Sequence, residues 1–139
     1  MSIQLAESDI QILGCFPVMS QLRPHLEEDK FIEQVRYQMK EGYKIAFLEI
    51  DEQTLAVAGF RISTCLSSGK FLYIDDLVVD EWKRSQNYGQ QLFQWLIEYA
   101  TNNHCQQLSL DSGVQRFAAH RFYLTQRMSI TAHHFSIEL

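Results

Sequence analysis

The chain has 139 residues, enough for one domain with a full core, and its 46% hydrophobic and 21% charged residues are globular values. A net charge of −5 with scattered basic residues argues against a nucleic-acid binder, which needs a basic face. No apolar run reaches the length of a membrane span, and the start Met1-Ser-Ile-Gln-Leu-Ala-Glu7 lacks the basic-then-apolar pattern of a signal peptide.

Residues 3–6 predict a short strand, with Ile3 and Leu5 on one face. Ser8 or Asp9 caps a helix expected to run to about Met19, and Pro17 and Pro24 bracket a break. A second helix is expected over Leu26–Met39. Its Phe31, Ile32, Val35 and Met39 share a face, its acidic Glu27, Glu28 and Asp29 suit the first turn, and Gly42 closes it. Three strands follow, Tyr43–Ile50, Thr54–Cys65 and Lys70–Val79, with Asp51-Glu52 and Ser67-Ser68-Gly69 as the turns. A helix from Tyr88 to Asn102 carries Leu92, Phe93, Leu96, Tyr99 and Ala100 at helical spacing. Gln107–Leu110 reads as a core strand, Arg116–Gln126 as a shorter helix, and Ser129–Leu139 as a last alternating strand. The order β-α-α-β-β-β-α-β-α-β is an antiparallel meander followed by a crossover unit. That gives an α/β class with a mixed sheet and helices packed on it, in a single domain over residues 1–139.

The segment after the strand Lys70–Val79 has the make-up of a phosphate site. Lys83 and Arg84 stand at the mouth of a polar turn, Gly89 offers no side chain to an approaching phosphate, and a helix N-terminus follows. The loop lacks the paired glycines of a Walker-type sequence and the three glycines of a dinucleotide fingerprint. Arg84-Ser85-Gln86-Asn87-Tyr88-Gly89 does resemble the Arg-x-x-Gly-x-Gly/Ala loop of the GNAT superfamily of N-acetyltransferases. Asn87 replaces the first glycine, and asparagine tolerates left-handed backbone better than most residues. The element order is also that of the GNAT fold. Leu108-Ser-Leu-Asp-Ser112 and Ala119-His-Arg-Phe-Tyr123 resemble the family's fifth strand and the alanine–aromatic–tyrosine pattern that follows it. The departures are Arg116 at the start of that helix and Arg127-Met128 at its exit.

The resemblance implies an acetyl-CoA-dependent N-acetyltransferase that works by direct transfer in a ternary complex, with a splayed central sheet. It implies that Arg84, Ser85, Gln86, Asn87, Tyr88, Gly89 and Gln90 receive the cofactor pyrophosphate. It implies that Leu77, Val78 and Val79 pair with the pantetheine arm by strand addition, a backbone N–H near Val78 facing the thioester oxygen. Tyr123 resembles the tyrosine that protonates the departing thiolate. For the base, Asp75 or Asp76 comes first and Asp111 second; strand alternation would let only one of Asp75 and Asp76 face the cleft. The alternative to an enzyme is a non-catalytic acyl-CoA-binding protein on the same fold.

The remaining features are bland. His133-His134 on a strand would point to opposite faces, and no Cys or His partner has ligand spacing, so no metal is expected. His120 lies one turn before Tyr123 and reads as a helix-surface residue. Cys15, Cys65 and Cys105 are odd in number and widely spaced, which suits a reducing cytoplasm. The acidic Glu27, Glu28, Asp29, Glu33 and Glu41 would make a lip for a cationic amine, with a solvated helix face as the plainer reading. Phe135–Leu139 is an edge that a homodimer would cover.

Overall fold

The computed structural model describes residues 1–139. Its elements in chain order are β1 (Ser2–Leu5), α1 (Asp9–Gly14), α2 (Phe16–Leu22), α3 (Glu28–Met39), β2 (Tyr43–Ile50), β3 (Gln53–Cys65), β4 (Gly69–Val79), a 3-10 turn (Glu81–Lys83), α4 (Tyr88–Asn102), β5 (Gln107–Leu110) and α5 (Phe117–Thr125). The chain forms two compact units, Met1–Ser109 and Leu110–Leu139.

Five strands form one mixed sheet in the order β1-β2-β3-β4-β5, and the first three pairings are antiparallel. The two hairpin turns follow from local backbone preference. Asp51 and Glu52 take positive φ of 50° and 63°, which suits the twist of a two-residue hairpin, and Gly69 takes 72°. Ser8 caps α1 through a capping box with Gln11, its hydroxyl accepting from the Gln11 amide at 3.1 Å. The helix expected to reach Met19 breaks at Cys15, so three helices precede β2 where two were expected. Pro17 explains the break: it has no N–H for the Leu13 carbonyl and instead opens α2.

Each face of the sheet has its own core. Tyr43, Ile45, Phe47, Val57 and Val78 pack with Ile12, Val18, Met19, Phe31 and Val35 of α1–α3. The opposite face buries Ala46, Leu48, Ala58, Phe60, Leu72 and Ile74, and α4 buries Leu92, Phe93, Leu96 and Ala100. Contacts of α4 with β2, β3 and β4 join the two sets, and the Tyr99 ring meets Phe60 edge-on at 5.4 Å.

The last strand expected over Ser129–Leu139 does not form; those residues carry no regular structure. Alternation specifies a pleated face but not a neighbour, and a strand without a partner leaves its backbone to water. Ile130, Phe135, Ile137 and Leu139 are exposed.

Candidate acyl-transfer site

A β-bulge shapes the centre of the site. Gly59 of β3 pairs with Asp76, but the next residue, Phe60, pairs with Ile74, so Asp75 is the extra residue on β4. Alternation would send Asp75 and Asp76 to opposite faces. The bulge instead puts both carboxylates on the face that carries Tyr43. Asp76 accepts from the Tyr43 hydroxyl at 2.7 Å, Asp75 accepts from Arg61 Nε at 3.0 Å, and the Arg61 guanidinium lies over the Tyr43 ring at 5.5 Å. Simple strand alternation is therefore interrupted here, and both carboxylates share one face of the sheet, although only Asp76 lines the cavity beside it.

Gly59 is the residue that makes this possible. A Cβ there would overlap the Tyr43 hydroxyl and come within 2.5 Å of Asp76 Oδ2. Glycine leaves the space in which the Tyr43–Asp76 hydrogen bond sits.

Arg23, at the C-cap of α2, completes the cluster. Its Nε donates to Asp76 Oδ1 at 3.0 Å and its Nη2 to the Asp75 carbonyl at 3.0 Å. The Asp76 side chain is 13% exposed and that of Arg23 43%, so the pair lies at the wall of an opening. That opening is a cavity of about 300 Å³ lined by Asp76, Tyr43, Arg23 and His25, with Gln34 and Gln38 of α3 and an apolar wall that includes Met19 and Phe31. Asp75 is not part of the lining; it holds Arg61.

The electrostatics follow from burial. Desolvation pushes the Asp75 carboxyl up, opposed by the Arg61 guanidinium. Burial, and then the neighbouring Asp76 carboxylate, raise the Tyr43 phenol well above its ordinary value, so Tyr43 keeps its proton and donates it to Asp76 as a hydrogen bond.

The acidic residues of the expected lip do not line the cavity. Glu27, Glu28, Asp29, Glu33 and Glu41 are not among its wall residues; Glu27 pairs with Lys30 at 3.0 Å in solvent. Glu28, Asp29 and Glu33 are exposed on α3, and Glu27 and Glu41 flank that helix in solvent.

Beyond Asp76 the strand runs through Leu77, Val78 and Val79, which pair with Ala58, Val57 and Ala56 on the β3 side. On the other side β5 begins beside the start of β4, where the Gln106 amide donates to the Lys70 carbonyl at 2.6 Å. Four residues of strand cover about 13 Å, whereas Leu77 lies seven residues past Lys70, about 23 Å along β4. The β5 strand is therefore too short to run alongside Leu77–Val79.

The loop that follows is well braced. Asp80 caps the 3-10 turn, its Oδ1 accepting from the Trp82 amide at 3.2 Å. Gln21 of α2 accepts from the Glu81 amide at 2.9 Å. Arg84 is extended, Ser85 takes φ of 71°, and Asn87, the N-cap of α4, takes φ of 64° in the left-handed region. The asparagine thus adopts the backbone that its type favours. No side chain caps α4 and no acidic residue stands in its first turn, which holds Tyr88, Gly89 and Gln90. Such an end favours an anion.

In the second unit, Tyr123 lies on α5 with its ring 5.7 Å from Phe122. Burial raises its phenol above the ordinary value, with Arg116 pulling it down. Asp111 pairs with exposed His134 at 3.4 Å. His120 bonds the Gly113 carbonyl at 2.8 Å, which gives that ring a local structural role. Sequence reasoning missed Arg23, Tyr43 and Arg61. The available signal was Gly59 inside the apolar run Leu55–Phe60, since a glycine there marks a bulge or a close approach.

The comparisons with known proteins agree with this architecture. The profile of the Acetyltransferase (GNAT) family matches residues 12–128. The uncharacterized N-acetyltransferase YhdJ of Bacillus subtilis (strain 168) is 32% identical over 117 residues, 84% of this chain and 82% of that protein. Two solved structures share the fold. A ribosomal-protein-alanine N-acetyltransferase from Brucella melitensis biovar Abortus 2308 has a TM-score of 0.85 at 13% identity, over 100% of both chains. AAC(6')-Iy, in complex with the bisubstrate analogue CoA-S-monomethyl-acetylneamine, has a TM-score of 0.84 at 14% identity, over 99% of this chain and 97% of that one.

The fold and the family match define an acyltransferase. More narrowly, the chain belongs to the Acetyltransferase (GNAT) family, whose members use acetyl-CoA.

Proposed function

We propose that this chain transfers the acetyl group of acetyl-CoA to a primary amine by direct attack in a ternary complex, as one functional domain in the cytoplasm. The observation that carries the proposal is the cavity walled by Asp76 on β4, immediately before the stretch that β5 does not reach. The free amine attacks the thioester carbonyl, a C–N bond forms, the C–S bond breaks, and the departing sulfur takes a proton. A proton must leave the ammonium before attack, and Asp76 is the carboxylate that faces the cavity.

The cofactor assignment rests on family resemblance and on local geometry. Arg84 to Gln90 would take the pyrophosphate, with the uncapped first turn of α4 supplying N–H donors. Leu77–Val79 would pair with the pantetheine arm. Tyr123, whose raised pKa keeps it protonated, suits the acid that meets the thiolate.

Direct transfer is favoured over an acyl-cysteine route by the thiols themselves. Cys15 is buried and pushed up to about 12, so it is a poor nucleophile. Cys65 is lowered to about 7 by hydrogen bonds from Ser67 and Ser68, but it pairs with Gly69 at the hairpin end. Asp76 lies seven residues, about 23 Å, further along β4. All three cysteines are free, which suits a reducing compartment.

A second copy of the chain is proposed to cover the exposed Phe135, Ile137 and Leu139. Light scattering during size exclusion should then give a dimer that Phe135→Asp converts to monomer.

Calorimetric titration with acetyl-CoA, with ATP and NAD as controls, tests the cofactor. Selective micromolar binding is expected. Gly89→Val should weaken it at least tenfold with the melting temperature nearly kept, because a branched side chain blocks the phosphate. Unchanged affinity in that variant would remove the loop from the site.

A further inference from the structure

The cavity on the α1–α3 face carries its own charge arithmetic. Its titratable walls are one carboxylate, Asp76, one guanidinium, Arg23, the His25 imidazole and the Tyr43 phenol. No glutamate of α3 joins them, so the cavity is not the acidic bowl that a polycation needs. Both Asp76 oxygens already have donors: Oδ1 takes Arg23 Nε at 3.0 Å and Oδ2 takes the Tyr43 hydroxyl at 2.7 Å. An amine that approaches Asp76 therefore meets the positive charge of Arg23 at the same place. A purely cationic acceptor gains one partner and gains one repulsive neighbour.

We infer that the cavity takes a small zwitterionic acceptor, an α-amino-acid-like molecule with an apolar side chain, whose ammonium faces Asp76 and whose carboxylate faces Arg23. This rests on the acetyltransferase reading above. Such a molecule exchanges the internal Arg23–Asp76 pair for two pairs, so no charge is left alone. Arg23 has room for the exchange: its side chain is 43% exposed, and its remaining protein hydrogen bond, to the Asp75 carbonyl at 3.0 Å, tethers it at the rim. The planar, five-donor guanidinium suits a carboxylate in particular. The cavity also has apolar lining from Met19, Leu26, Phe31 and Val35, which suits an apolar side chain. A volume of about 300 Å³ lies at the lower end of small-molecule sites and matches a single amino acid rather than an aminoglycoside.

The test is a rate comparison backed by a binding measurement. CoA release would be followed with leucine, methionine and phenylalanine, with isoamylamine and phenethylamine as partners lacking the carboxylate, and with spermidine. The expected result is a kcat/KM at least tenfold higher for the amino acids. Arg23→Gln should erase that preference, bringing the ratio of amino-acid to plain-amine kcat/KM down tenfold or more whatever its effect on the absolute rates, and Arg23→Lys should restore part of it. Faster turnover of spermidine or the plain amines by wild type would overturn this inference and leave the acetyltransferase reading standing. So would a ratio that Arg23→Gln leaves unchanged. If no amine turns over, the acetyltransferase reading fails. Calorimetry with leucine then decides the cavity by itself: binding that weakens tenfold in Arg23→Gln supports it, and no binding to wild type sinks it.

Discussion

The two faces of the sheet do different work, and one extra residue separates them. The face toward α4 is apolar throughout its core, with Leu48, Phe60, Leu72 and Ile74 buried among alanines. The face toward α1–α3 is equally apolar at one end, where Ile45, Phe47 and Val57 pack, but at the other it holds Tyr43, Arg61, Asp75 and Asp76 in one hydrogen-bonded cluster. A regular strand would have divided the two aspartates between the faces, burying a carboxylate against α4. Desolvating an unpaired carboxylate there would cost several kcal/mol. The bulge at Asp75 keeps both acids on the side where arginines and a tyrosine meet them. The lesson is that the polar site is obtained by a local change in register, with the apolar face left intact.

Substitutions that act on one face only separate the two roles. The largest effect is expected from Asp76→Asn, which should lower kcat/KM by about 10²–10⁴-fold, while Asp75→Asn stays within about tenfold because Asp75 does not line the cavity. Equal losses in the two variants would erase the distinction between a facing and a supporting carboxylate. On the apolar face, Phe60→Ala should cost about 3–5 kcal/mol in denaturant unfolding, with acetyl-CoA affinity unchanged under native conditions. Gly59→Ala is expected to be milder for stability, about 1–3 kcal/mol, yet it should perturb the acidic cluster, because the new methyl occupies the place of the Tyr43 hydroxyl. A Gly59→Ala protein with unaltered kcat and stability would show that the bulge is not tightly packed.

Smaller effects are expected at Tyr123 and Asn87. Burial raises the Tyr123 phenol, so its protonated form persists beyond the ordinary value near 10. A group that acts as an acid loses activity only when deprotonated, so kcat should show no alkaline fall from Tyr123 up to about pH 10. Tyr123→Phe should instead lower kcat evenly across that range; a fall centred near pH 8 in wild type that disappears in Tyr123→Phe would contradict the assignment. The smallest effect belongs to Asn87→Gly. It relieves a left-handed non-glycine residue and should stabilise the fold by up to about 1 kcal/mol while acetyl-CoA affinity is retained.

Most of the fold is legible in the sequence because it rests on local rules. The bounds of β2, α4 and β5 follow from apolar periodicity, and the bounds of β3 and β4 differ from it by one residue at the first end. Three features were not legible. The break at Cys15 depends on how Pro17 starts a new helix rather than ending an old one. The tail after α5 alternates like a strand, but alternation cannot supply a partner. The bulge was hidden because it is a relation between Gly59 on one strand and Asp75 on the next, sixteen positions apart, and no single segment carries it. The loop proposed to take the phosphate, Arg84–Gln90, is a contiguous segment of sequence. The cavity is not, since Arg23, Tyr43 and Asp76 come from three separated segments.

On the proposed function, an acetyl group moves from CoA to an amine on this protein. The most direct measurement gives the purified chain acetyl-CoA labelled with ¹³C in the acetyl group, together with the panel of amines, and looks for the label by mass spectrometry. The account predicts labelled N-acetyl product that depends on the wild-type protein and is nearly lost in Asp76→Asn. Label that stays entirely on CoA, with acetyl-CoA bound at micromolar affinity, would contradict it and make the chain a binder of acyl-CoA rather than an enzyme.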